Sequence, residues 1–184
     1  MSAIATEAGV GKALLYSRFT SPGDILIAGF EEFITELEGE FPTIRDLLIA
    51  ESTRMAELYF GRHSLALDRA LLDSNAGIDP FPQIVEGLGA RTVLPMRRRI
   101  RAAIESGELP PWTSVTQLLD IIEGAIRTHI TAATRVLDRV REGMDAYIEQ
   151  LVDEQLLLLS LVGERRGHSG GEWHPATVVA APTR

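Results

Sequence analysis

The chain has 184 residues, 45% hydrophobic and 24% charged, with a formal net charge of −8 and no cysteine. Such a composition suits a soluble globular chain long enough to bury a core, and it excludes a disulfide scaffold, a thiolate metal site and a catalytic thiol. No apolar run is long enough to span a bilayer and the first residues lack a signal-peptide pattern, so a cytoplasmic protein without a membrane partner is expected.

The first segment, Ile4 to Phe19, contains Gly9-Val10-Gly11-Lys12 and admits two chemistries. A phosphate-cradling loop requires a glycine five residues before the Gly-Lys pair and a Ser or Thr directly after it. Thr6 and Ala13 stand there instead. A helix-turn-helix meets its requirements better. Ala5 is small where two helices must pass closely, and Gly9 sits where a left-handed residue ends the first helix. Val10 would plug the turn. Leu15 and Phe19, four apart, would face inward, leaving Lys12, Ala13, Tyr16, Ser17 and Arg18 to meet a DNA groove. Within residues 1–23, Lys12 and Arg18 face a single acid, Glu7, and the acids gather only from Asp24 onward.

Helical spacing then recurs to about Val162, with no strand-like alternation. Ser21-Pro22-Gly23-Asp24 reads as a capping box opening a helix that carries Ile25, Leu26, Gly29, Phe30, Phe33, Ile34 and Leu37 on its apolar side. Gly39 and Pro42 stop it. Further helices are expected over about Thr43–Phe60 and His63–Leu72, the latter closing at Ser74-Asn75-Ala76-Gly77. Phe81–Val93 and Pro95–Ser106 form two helices or one kinked at Pro95. A long helix is expected over Thr113–Leu137, with Leu118, Ile122, Ala125, Ile126 and His129 on its apolar face. The last runs from Glu142 to Val162, and residues 163–184 read as a disordered tail.

Ile4-Ala5, Ala8-Gly9-Val10, Lys12, Tyr16, Phe19 and Leu26 together resemble the DNA-binding segment of the tetracycline-repressor (TetR) family of transcriptional regulators. Ile104-Glu105-Ser106-Gly107-Glu108-Leu109, followed by a long helix and a final apolar one, is similar to that family's C-terminal domain. The resemblance covers most of the chain to Val162. It departs at three places: the family's first helix is absent, Pro22 stands where a lysine is usual, and Leu14 occupies a commonly polar position.

The resemblance implies an all-α repressor. Residues 1–38 would hold a truncated helix-turn-helix and connecting helix, and residues 39–162 a helical ligand-binding and dimerisation domain. The implied partners are operator DNA, a second copy of the chain and a small, largely apolar effector that releases the DNA. No cofactor is implied. The alternative is a helical ligand-binding or dimerising module that no longer binds DNA.

Inward faces of helices that the resemblance brings together would wall the effector pocket with Met55, Tyr59, Ile122, Ile126 and His129, with Trp112 at its mouth. Tyr59 and His129 would be the polar anchors. The dimer seam would use Thr113–Leu137 and Glu142–Val162, which are apolar on more than one face. Arg97-Arg98-Arg99 with Arg101 reads as a solvated face. His168, Glu172 and His174 lack a scaffold for a metal. No nucleophile–base set or paired carboxylates are legible, so no enzyme is expected.

Overall fold

The computed structural model describes residues 1–33, 37–61, 63–133 and 136–165. The chain is all-α, and no strand occurs among the described residues. In chain order the helices are α1 (Ser2–Glu7), α2 (Lys12–Arg18), α3 (Pro22–Phe33), α4 (Ile44–Phe60), α5 (Ser64–Asn75), α6 (Phe81–Leu88), a π-helical turn (Gly89–Val93), α7 (Leu94–Glu105), α8 (Val115–Thr131), α9 (Leu137–Glu142) and α10 (Met144–Arg165). None of the described helices is long and apolar enough to cross a membrane.

Short polar residues start α3, α4 and α8, where they satisfy backbone N–H groups that have no partner in the first turn. At α3, the Asp24 N–H donates to Ser21 Oγ at 3.1 Å and the Ser21 N–H donates back to Asp24 Oδ2 at 3.0 Å. That is the capping box expected from Ser21-Pro22-Gly23-Asp24. Thr43 caps α4 in the same way, accepting from the Asp46 N–H at 3.1 Å and donating to its carboxylate at 2.7 Å. Ser114 accepts from the Gln117 N–H to open α8.

Three described helices end on a left-handed glycine: α7 at Gly107 with φ 81°, and two that share one bonding pattern. After α1, Gly9 has φ 65°, its N–H donates to Thr6 O, and the Val10 N–H reaches back to Ala5 O at 3.0 Å. After α5, Gly77 has φ 70° and the Ile78 N–H reaches Asp73 O at 2.9 Å. Both are the double-hydrogen-bonded close that glycine makes at little steric cost.

Three expectations need correcting. The long helix over Thr113–Leu137 is broken: α8 stops at Thr131, and α9 begins only at Leu137. Thr131 Oγ1 bonds Arg127 O, and the N–H groups of Ala132 and Ala133 take up the Thr128 and Ile130 carbonyls. Side-chain competition of this kind and β-branching both weaken a helix end. The last helix starts at Met144 rather than Glu142 and runs through Arg165, so 163–165 belong to it and not to a tail. Residues 166–184, including His168, Glu172 and His174, lie outside the described residues, as does Ile34. On α3 the buried side is Phe30 with half-buried Ile27, while Leu26 and Gly29 are exposed. Phe81–Leu88 and Leu94–Glu105 are two α-helices, one of the two outcomes expected, with the second beginning at Leu94 rather than Pro95. The π-helical turn precedes it, where the Leu94 N–H reaches Gly89 O five residues back. A wider turn relieves the clash between the proline ring and the carbonyl four residues earlier.

The chain divides into two compact units. Residues 1–36 and 66–94 form the first, in which α1 packs on α2 and α3 on α6. It buries Ala5, Leu15, Phe30, Leu67, Ala70 and Ile84. The described residues of 37–65 and 95–165 form the second, where α4 packs against both α8 and α10. Met144, Ile148, Val152 and Leu156 recur every fourth residue on the buried side of α10. Leu48, Ile126, Ile148 and Val152 are almost wholly sequestered. Each such side chain stabilises the fold by about 1.5–3 kcal/mol relative to exposure. Arg45 of α4 clamps Asp153 of α10 with bonds of 2.6 and 3.0 Å. The pair is about one-third exposed, so it contributes register more than energy.

Candidate functional site

The α2 helix presents the residues singled out for DNA. Lys12, Ala13, Tyr16, Ser17 and Arg18 are all exposed, Tyr16 by 55%, while Leu15 faces inward. At about 100° per residue, Lys12, Ala13, Tyr16 and Ser17 share one face of roughly 140° of arc. Arg18 points off the other side of that face, and among the described residues it forms no ion pair with Glu7. The Ser17 hydroxyl donates to Leu14 O at 2.8 Å, which leaves its oxygen as an acceptor only. Val10 does not plug the turn; it is 37% exposed, because the turn is closed by backbone hydrogen bonds instead. Leu14 is exposed beside the cationic face.

At the start of α3, the hydroxyls of Thr20 and then Ser21 hydrogen-bond the Asp24 carboxylate. With the backbone N–H groups of the same two residues they lower its pKa to about 2. That carboxylate is therefore ionised and committed to fixing the α2–α3 corner.

The residues proposed from sequence for an effector pocket are only partly brought together. Ile122 and Ile126 of α8 and Tyr59 of α4 are buried in the second unit, and Met55 is half-buried. His129 is not on the inner face. It is exposed, with its ring stacked on Tyr147 of α10 at 4.2 Å between centroids and 5° between planes. The spacing from Leu118 and Ile122 would turn it inward, but its position near the C-terminal end of α8 lets the ring lie across the neighbouring helix. Trp112 is also committed: its Nε1–H donates to Leu159 O at 2.9 Å and ties the turn before α8 to α10.

Two features of the second unit escaped the sequence reading. An open groove of about 630 Å³ lies between residues 39–47 and α7, with Phe41, Ile44, Leu47 and Ala103 along it and Arg99 and Glu108 at its edge. Arg99 sits over the Phe41 ring at 5.5 Å, and the Glu108 carboxylate accepts from the Ile44 N–H at the head of α4. The other feature is a polar cluster inside the α4–α8 packing. Buried Glu51 takes two bonds from Arg54, at 2.8 and 2.5 Å. Burial, and next the nearby Glu51 charge, push the Glu123 carboxyl of α8 up to about 7. Burial alone would disfavour the Arg54 cation, but Glu51 and Glu123 raise its pKa further. The signal for the first pair was present in the sequence as acid and base three apart on one helix. Of the arginine cluster, Arg97 bonds Thr116 at 3.0 Å and Arg99 covers Phe41, while Arg98 and Arg101 are exposed.

Towards the end of α10, Leu157, Leu158, Leu161 and Val162 stand exposed, and Ile121 of α8 is exposed as well. Single exposed leucines are ordinary, whereas four within two turns of one helix are not. Comparison with family models, curated proteins and solved structures gives no match for this chain.

Proposed function

We propose that the chain is a transcriptional regulator of the tetracycline-repressor type, with α1–α2 as its DNA-binding element. One observation carries the reading: a glycine-closed turn joins two short helices, the second of which displays Lys12, Ala13, Tyr16 and Ser17 on a common exposed face. A recognition helix needs such a face to lay side chains along a major groove. Lys12 supplies the phosphate contact and Tyr16 an amphipathic contact. Two copies associate through the exposed apolar residues of α8 and α10, so that paired helices meet successive grooves about 34–36 Å apart. A small, largely apolar effector enters the second unit beside Met55, Tyr59, Ile122 and Ile126 and favours a form that fits DNA less well. His129 is left out of that wall because it lies outside.

The test is binding to a selected pool of random 30-base-pair duplexes over a range of salt. Lys12→Ala should weaken binding to all sequences alike and lower the salt slope by about one unit. An unchanged slope removes Lys12 from the interface.

A second reading, a ligand-binding or dimerising helical module without DNA affinity, is favoured by the thin charge of α2. Its two cations lie on different sides of the helix, and exposed Leu14 lies beside Arg18. Absence of salt-dependent binding to any duplex in the native chain would select this reading.

A further inference from the structure

The groove between residues 39–47 and α7 lies wholly within the second unit, and its volume of about 630 Å³ is that of a small-molecule site. Its floor is fixed. Ile44, Leu47 and Ala103 are buried, and the Glu108 carboxylate accepts the Ile44 N–H at the head of α4. On the α7 side, Arg99, Ala102, Ala103 and Ser106 share one helix face. The Ser106 hydroxyl donates to Ala103 O and so is already engaged.

The charges around the groove favour a cation. Glu40 and Glu108 line it, and Thr43 in the same lining holds the Asp46 carboxylate. Against these acids, Arg99 is the one basic residue of the lining among the described residues. Glu40 is exposed and forms no hydrogen bond or ion pair among the described residues. Arg99 itself shows what the groove accepts. Its guanidinium lies 5.5 Å from the centre of the Phe41 ring, and Nη2 donates to Gly39 O at 3.4 Å. Both contacts are long for their kind, and no carboxylate among the described residues holds the group. A planar cation is thus seated on the aromatic face of the groove, and held loosely.

We propose that the groove binds a small organic cation with an apolar body, and that Arg99 is the tethered group which this ligand displaces. The ligand's cationic head takes the face of Phe41 and pairs with Glu40, and its body lies over Ile44, Leu47 and Ala103. Arg99, tied to α7, covers Phe41 without pairing with Glu40, whereas a free cation satisfies both at once. Displacement costs little, because the released guanidinium stays on a long side chain at the groove edge and is rehydrated there. None of the lining residues belongs to the wall proposed for the apolar effector, so the site stands or falls independently of that reading and of DNA binding.

The experiment uses three molecules of nearly one shape and different charge: benzamidine, a cation; benzamide, neutral; and benzoate, an anion. Each is titrated into the full chain and followed by the amide signals of Gly39, Phe41 and Ala103. Benzamidine should move these signals and bind about threefold or more tighter than benzamide, the size expected of an exposed cation on an aromatic face, with benzoate weakest. Arg99→Gln should strengthen benzamidine binding, because the internal competitor is gone. Glu40→Gln and Phe41→Leu should each weaken it by about threefold or more. Glu40 is exposed and Arg99 half-buried, so both variants should keep the fold, which a thermal melt checks. Tighter binding of benzoate than of benzamidine would overturn the proposal and make Arg99 an anion anchor instead. Benzamidine affinity that Arg99→Gln lowers or leaves unchanged would also overturn it, as would affinity indifferent to Glu40→Gln. A native chain that binds none of the three, or shifts only signals away from the groove, counts equally against it.

Discussion

The first unit is held at its corners and the second in its middle. Among the described side chains of α1 to α3 only Ala5, Leu15 and Phe30 are buried, and definition comes from the glycine-closed turn after α1 and the Ser21–Asp24 box. In the second unit α4, α8 and α10 enclose Leu48, Ile126, Ile148 and Val152, with a buried ion pair set among them. The difference separates two ways of making a surface. A segment fixed by caps and turns can keep nearly every side chain outward, as α2 does. A layered core spends its apolar residues inward, and the leucines it leaves outside on α10 are then conspicuous.

The strongest test of this contrast is in the core. Ile126 is wholly buried on α8, and Ile126→Ala removes packing that rigid neighbours cannot refill. The expected loss is about 3–5 kcal/mol of unfolding free energy in urea, the upper part of the range for such truncations. A loss under about 1 kcal/mol would mean that the second unit is loosely packed and the contrast is false.

A smaller effect is expected at the outer face of α10. Leu158 is 52% exposed, so Leu158→Glu should leave the isolated chain as stable as before. If this face is the seam between two copies, sedimentation should show association weakened at least tenfold, or about 1.4 kcal/mol, by carboxylates placed in an apolar contact. Unchanged association moves the seam elsewhere.

Element type was legible in the sequence wherever caps and spacing agreed. Ser21-Pro22-Gly23-Asp24, Thr43 and Gly9 each set a boundary that the structure keeps, because those signals act on the nearest backbone groups. The break between α8 and α9 was not legible. Leu137 continues the apolar spacing, and only the hydrogen bond from Thr131 to Arg127 O and the turn that follows end the helix. His129 was misplaced for a related reason. Helical spacing assigns a face to each residue but does not say that a neighbouring helix offers Tyr147 for stacking outside. The exposed face of α2 could be read from Leu15 and Phe19, the first buried and the second half-buried. The Glu51–Arg54–Glu123 cluster joins residues about seventy apart, and only packing reveals it.

The smallest expected effect sharpens the other side of the contrast. Ser21→Ala removes the oxygen that accepts the Asp24 N–H while leaving Thr20 and the Ser21 N–H on the carboxylate. Loss of a capping side chain of this kind costs about 1 kcal/mol. Because the first unit has little core to share the strain, faster hydrogen exchange should be confined to the first turn of α3. The Asp24 pKa, about 2 in the native chain, should rise once one of its two hydroxyl donors is gone. In linkage terms the capping stabilisation is complete above the ordinary 3.8 and is lost as the pH falls through about 2, so Ser21→Ala should begin to lose it at a higher pH. The check is amide exchange at Asp24 with a carboxyl titration of the same residue. If neither changes, the corner is held by something other than its cap, and the first unit is no longer the cap-defined half of the molecule.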